Sequence, residues 1–249
     1  MTWSAHVARA ILAPTGVLRA GINLSNFLLV SARGPRDEPL GVSPDLCGLL
    51  AAELGVPLEL VPYANPGLLA DAASKDAWDV GLIGAEPARA ATIAFTAPYA
   101  EIDATYAVRD GSGLAVIGDV DRRGTRIAVS RRAAYCLWLE ANLEEATLER
   151  TAAPGLDASR ALYDDARCDA LAGLRPWLID QALPDATILD GSFTTVRQAI
   201  GVPKRGADPA ALAFLEDFVA GKVGDGTVGR LIADRGVAGR LAVARPPLR

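Results

Sequence analysis

The sequence predicts an α/β protein of two lobes, each a mixed, mostly parallel sheet flanked by helices. Three observations carry this prediction. Short apolar runs alternate with helical segments in a βαβ rhythm, the series restarts near residue 104, and a region beginning near residue 196 adds one more strand and two helices. The expected boundaries place residues 1–103 with 196–249 in the first lobe and 104–195 in the second. The chain would cross between them at turn-rich joints near 100–104 and 191–195.

The first strand is read at 17–22, VLRAGI. A helix follows at 43–54, with Ser43 as N-cap and Pro44 in the first turn, where a missing N–H breaks no bond. Gly55, free to turn left-handed, is its stop. Strands at 58–63 and 80–83 enclose a helix at 68–75. Residues 84–87 then break the strand, and a further strand leads to Pro98-Tyr99. The second series has strands at 106–109, 126–129, 169–172 and 187–189, with helices at 134–143 and 158–165. The last region holds AIGVPK, a helix at 209–220 capped by Asp208, and a helix at 227–235.

The composition fits an ordinary globular protein, at 51% hydrophobic and 22% charged residues over 249 positions. A net charge of −5 gives no footprint for nucleic acid or an anionic membrane. The basic pairs Arg122-Arg123 and Arg131-Arg132 are local exceptions, read first as a solvated face. Three scattered cysteines, Cys47, Cys136 and Cys168, with no CxxC and a single histidine, His6, offer neither a zinc set nor a disulfide framework. They are expected to stay reduced. No run reaches the roughly 18 apolar residues of a membrane span. The apolar run at 10–12 is too short for a secretory leader. No Gly-rich phosphate loop, nucleophile elbow or catalytic acid pair is present, so no cofactor is expected.

The most informative segment is 79–99, DVGLIGAEPARAATIAFTAPY. Arg89 stands there after a short apolar strand and a Pro turn. Guanidinium is a planar fork suited to a carboxylate, and a plain surface arginine is the alternative. The segment resembles the ITPER…V.FS.PYY signature of the family 3 extracellular solute-binding proteins. LRAGIN, GVSPDLCGLLAAELGVPLELVPY, WDV, DVDRRGTRIAVS, CDALAG and AIGVPK fall in the family's order over roughly residues 18–238. The resemblance implies a type II periplasmic-binding-protein-like fold and a non-catalytic protein that closes two lobes on a ligand for ABC-type uptake. Ligands of open α/β sheets lie at the carboxyl ends of strands.

The resemblance also implies residue roles. Arg89 takes the place of the arginine that grips the ligand's α-carboxylate. The loop NLSNF, with Asn23 and Asn26, stands where the family carries an acid and an aromatic. Its amides either read a polar, uncharged part of a ligand or simply form turns. Glu86, where a Ser or Thr run is usual, either orients Arg89 or points outward as a loop charge. SRRAAY occupies the family's hydroxyl-bearing turn at a helix N-terminus. There Ala133 precedes Tyr135, and Arg131 or Arg132 could replace the lost hydroxyl with charge, or form an exposed basic pair.

Leu174, followed by Arg175, stands where binders of α-amino acids place an ammonium-pairing Asp. An ammonium left without that partner costs several kcal/mol, so the expected ligand is a small anionic carboxylate without an amine. The family's dehydratase offshoot uses an acid from the second lobe, and DALAGLRPWLID has none at Leu174. A lyase-like enzyme is therefore the weakest reading. A cytoplasmic sensor or scavenger with the same fold is the alternative to transport. The family implies the periplasm, and Met1 as a native start implies the cytoplasm. The partners expected are a carboxylate metabolite and an ABC permease, with no nucleic acid and no membrane insertion.

Overall fold

The computed structural model describes residues 3–245. It forms two compact units, one of Met1–Glu101 with Arg197–Arg249 and the other of Ile102–Val196. The chain begins with α1 (Trp3–Leu12), β1 (Leu18–Asn23), the short strands β2 (Ala32–Arg33) and β3 (Pro39–Leu40), and α2 (Val42–Leu54). Then come β4 (Leu58–Tyr63), α3 (Pro66–Ala72), β5 (Val80–Gly84) and the long β6 (Ile93–Arg109). The second unit continues with β7 (Arg126–Val129), α4 (Ala134–Asn142), β8 (Thr147–Arg150), α5 (Leu156–Asp165), β9 (Ala170–Leu174), α6 (Arg175–Asp180) and β10 (Ala186–Ile188). β11 (Thr194–Pro203) returns the chain to the first unit, which ends with α7 (Pro209–Gly224), α8 (Thr227–Asp234) and β12 (Ala242–Val243).

In the first unit the strands lie in the order β4-β1-β5-β11. β1 runs parallel to both neighbours, with Asn23 level with Tyr63 and Ile22 level with Leu82. β11 is antiparallel to β5. Every residue of β5 is buried, as a central parallel strand covered on both faces requires. Trp78 sits fully buried beside Leu69, Ile83 and Ile93, its indole N–H donating to the Leu69 carbonyl at 3.1 Å. Gly21 and Gly81, on adjacent strands, leave room for that ring: a Cβ on either would lie 3.1 Å from it. At the amino ends of the same strands Arg19 grips Asp79, with Nη2 to Oδ1 at 2.7 Å and the Arg19 backbone N–H donating to Oδ2 at 2.8 Å.

In the second unit β6 pairs antiparallel with β10 and β9, while β9, β7 and β8 are mutually parallel. Asp121 ties this unit's outer loop, accepting from the backbone N–H groups of Glu144, Glu145 and Ala146 at 2.8–2.9 Å. Desolvation pushes its carboxyl up, but the three N–H bonds together prevail and hold it below the ordinary aspartate range. A lowered folded value means stability that is full above the ordinary range, near pH 4, and lost as pH falls through the folded value. Asp121→Ala is accordingly expected to cost roughly 1–2 kcal/mol at neutral pH, partial exposure reducing each bond. Its gap from the parent protein should close below about pH 3. Urea melts at pH 7 and pH 2.5 check this, and a gap of the same size at both would refute it.

Several local expectations are corrected. Gly41, not Ser43, precedes α2 as its N-cap at φ 152°, and the Ser43 hydroxyl bonds that of Tyr99 at 2.9 Å. A Cβ at Gly41 would fall 2.3 Å from the Leu29 carbonyl oxygen, so only glycine fits there. The turn expected at 100–104 is instead the middle of β6. That stretch, AEIDA, has no breaker of its own, and it pairs with β12 at Ala100 and Glu101 and with β9 from Ala104 onward. The joint at 191–195 shrinks to the turn at Gly191, φ 78°, before β11 begins at Thr194. α1 was not anticipated. It buries Ala5, Ala8 and Leu12 and packs on α7 and α2, with His6 on its exposed side. Gly55 at φ 67° and Asp208, accepting from the Ala210 N–H, end and start their helices as expected.

Candidate functional site

Because β1 and β5 are parallel neighbours, the residues that follow them emerge at one edge of the first unit's sheet. These are Asn23 at the end of β1 and Asn26 after it, and Glu86 and Arg89 after β5. The turn after β5 is closed by the Arg89 N–H on the Glu86 carbonyl at 2.9 Å and opens a short 3₁₀ turn at Arg89–Ala91. Arg89 is only 5% exposed, and its Nη1 donates to the Gly84 carbonyl at 2.8 Å. One arm of the guanidinium therefore fixes the plane of the fork. The plain surface-arginine reading is overturned by this burial.

Glu86 is also buried, at 8% exposure, and is no outward loop charge. Desolvation raises its carboxyl above the ordinary glutamate range, with the positive charge of Arg89 pulling the other way. Among the described residues its carboxylate accepts no hydrogen bond. The two asparagines are oriented by their own turns. Asn26 Oδ1 accepts from the Leu28 and Leu29 N–H groups at 3.2 and 3.4 Å, and Asn23 Oδ1 accepts from the Ser25 N–H and hydroxyl. Both are turn formers, each side-chain oxygen being taken within its own turn.

In the second unit β7 and β9 are parallel, with Ala128 level with Leu171, so Ser130–Ala133 and Leu174-Arg175 follow strands ending at one edge. The Ser130 hydroxyl accepts from the Gly155 N–H at 3.0 Å, and the Arg131 N–H donates to Thr151 Oγ1 at 2.9 Å. Arg132 takes a left-handed backbone, φ 63°, to turn the chain into α4. Ala133 caps that helix without a side-chain bond, so the capping residue gives the first-turn N–H groups no acceptor. Tyr135 points no hydroxyl to a partner among the described residues, and burial raises its phenol. Leu174 is buried at the end of β9. Arg175 is engaged elsewhere: its Nη2 donates to the Leu189 carbonyl at 2.6 Å and to that of Gly191, pinning α6 to the following loop. That arm of the guanidinium is structural.

The three cysteines are free and buried, and burial pushes the Cys136 thiol up to about 11. Among the described residues no group of three or more His, Cys, Asp or Glu could hold a metal ion, and no helix is long and apolar enough to cross a membrane. Sequence reasoning missed how the carboxylate of Glu86 is placed and that Arg175 is a staple. The short spacing from Glu86 to Arg89 was the signal available for the first.

Residues 20–234 match the model of the bacterial extracellular solute-binding proteins, family 3. The chain belongs to this family. No curated protein sequence matches it significantly. Among solved structures this family 3 chain is similar to the ancestral amino acid-binding protein AncCDT-1, a precursor of cyclohexadienyl dehydratase. The two share 21% identity at a TM-score of 0.70, over 91% of this chain and 98% of that one. It is similar to a putative ABC-transporter binding component from Wolinella succinogenes complexed with lysine, at 19% identity and a TM-score of 0.71, over 88% and 95% of the two chains. AbpA, the amino acid ABC transporter substrate-binding protein of Streptococcus pneumoniae, bound to L-arginine, is 19% identical with a TM-score of 0.69, over 90% and 96%. At these identities the likeness carries the fold, that of the two-lobed periplasmic-binding proteins.

Proposed function

We propose that this family 3 protein binds a small carboxylate-bearing metabolite for ABC-type uptake, with Arg89 as the residue that holds the carboxylate. The observation behind this reading is the buried guanidinium at the carboxyl edge of the first unit, one arm fixed on Gly84. A buried guanidinium fork suits an anion. The uncapped first turn of α4, with Arg131 and Arg132 before it, is a second anion-suited element, in the second unit. Binding rather than catalysis is favoured by Leu174, which puts an aliphatic side chain where the dehydratase offshoot needs an acid.

A thermal-shift screen over carboxylates, amino acids and sugar acids tests the proposal. A ligand at 100 times its dissociation constant adds about 2.7 kcal/mol of stability. Stabilisation by carboxylates and none by their amides is the expected pattern. Equal response to acid and amide would remove the carboxylate from the reading.

A further inference from the structure

We propose that the amino edge of the first unit's sheet holds a second ligand site, separate from Arg89, for a small amphipathic anion: an apolar tail that ends in a carboxylate.

A cavity of about 580 Å³ opens where the end of α1, the 3₁₀ turn Ala73–Lys75, the end of β11 and the start of α7 converge. β11 runs antiparallel to β5 with Gly201 level with Gly81, so Val202 and Pro203 reach the same edge as Trp78 and Asp79, which precede β5. Arg89 follows the other end of that strand. The five residues of β5 set the two edges roughly 17 Å apart, at about 3.3 Å per residue. All of the lining belongs to one compact unit. Ligand pockets run from about 300 to 1,000 Å³, and a single water takes about 30 Å³, so the volume is that of a small-molecule site. The space persists because the helical segments around it contribute short side chains, Ala73, Ala207 and Ala211. With Ile11, Leu12 and Val202 these give it an apolar wall.

The charged residues of the lining differ in what they leave free. Asp79 has a side chain only 6% exposed, and Arg19 bonds both of its oxygens. Asp76 pairs with Nη2 of the same arginine at 3.3 Å. Asp208 Oδ1 accepts the Ala210 N–H at 2.8 Å as the cap of α7. Lys75 and Arg205 also line the cavity; both are exposed, and neither has a hydrogen bond or ion pair among the described residues. The acids are committed to the fold and the two cations are not, so the charge on offer to a ligand is positive. An inorganic anion would meet the cations and leave the apolar wall in water. A plain hydrocarbon would do the reverse. An amphipathic anion satisfies both.

8-Bromooctanoate tests this on the full chain, because bromine quenches indole fluorescence only near contact and Trp78 lines the cavity. One molecule per chain is expected to bind and to quench the emission. By calorimetry, octanol, which lacks the charge, and acetate, which lacks the tail, should each bind at least about tenfold more weakly than octanoate. Trp78→Phe should keep the calorimetric affinity and lose most of the quenching. Lys75→Glu combined with Arg205→Glu should weaken octanoate by about tenfold or more without lowering the melting temperature, since both side chains are exposed and unbonded. Arg89→Lys should leave octanoate affinity within about threefold of the parent protein. No binding of octanoate, equal binding of octanol, quenching that survives in Trp78→Phe, or an affinity unmoved by the charge reversal overturns the second site and leaves the reading of Arg89 standing. Loss of octanoate in Arg89→Lys puts the probe at the carboxyl edge, which overturns the second site and supports Arg89. Octanoate bound as expected, with no carboxylate of the screen acting through Arg89, leaves the second site and removes the Arg89 reading alone.

Discussion

Arg89→Lys is expected to weaken binding of the best carboxylate from the screen by roughly 2–5 kcal/mol, a loss of about 30-fold or more. Lysine keeps the charge but is a point donor, and it cannot both bond the Gly84 carbonyl and offer a two-pronged face to an anion. Calorimetry at matched pH reads the effect, and affinity within threefold of the parent protein would take Arg89 out of the site. Arg89→Ala is a poorer probe. Arg89 is buried and donates to Gly84, so alanine leaves a carbonyl without that donor and is expected to lower stability by about 1–3 kcal/mol as well.

Trp78→Ala is expected to destabilise the protein by about 3–5 kcal/mol, the range for removing a fully buried tryptophan. Two strands have been built around this ring. Gly21 and Gly81 approach it so closely that neither carries a side chain, so neighbouring groups cannot fill the space it would vacate. The indole N–H bond to the Leu69 carbonyl would be lost as well. Trp78→Phe, which keeps most of the volume and loses the N–H, should fall between. Equilibrium denaturation of both variants measures this, and a cost under 1 kcal/mol for alanine would mean that the core collapses to fill the gap.

What the sequence determined by itself was whatever local chemistry specifies. The alternation of apolar runs and capped helices gave the α/β class, because periodicity and caps act within a few residues. Gly55 and Asp208 are legible for that reason: a left-handed turn and an N-cap carboxylate need no distant partner. Arg89 was legible from the turn before it and from the order of family landmarks around it.

The tertiary structure decided whatever depends on partners far along the chain. β6 runs unbroken through 100–104 because strands from Ala170–Leu174 and Ala242–Val243 pair with it, and nothing local announces them. Ser43 caps no helix because Tyr99, 56 residues on, takes its hydroxyl. Arg175 is bonded through Nη2 to the carbonyls of Leu189 and Gly191, partners that lie 14 and 16 residues on. Glu86 shows the difference most directly. Its identity and spacing were plain, while the partial burial that pushes its carboxyl above the ordinary glutamate range arises only when the chain is packed.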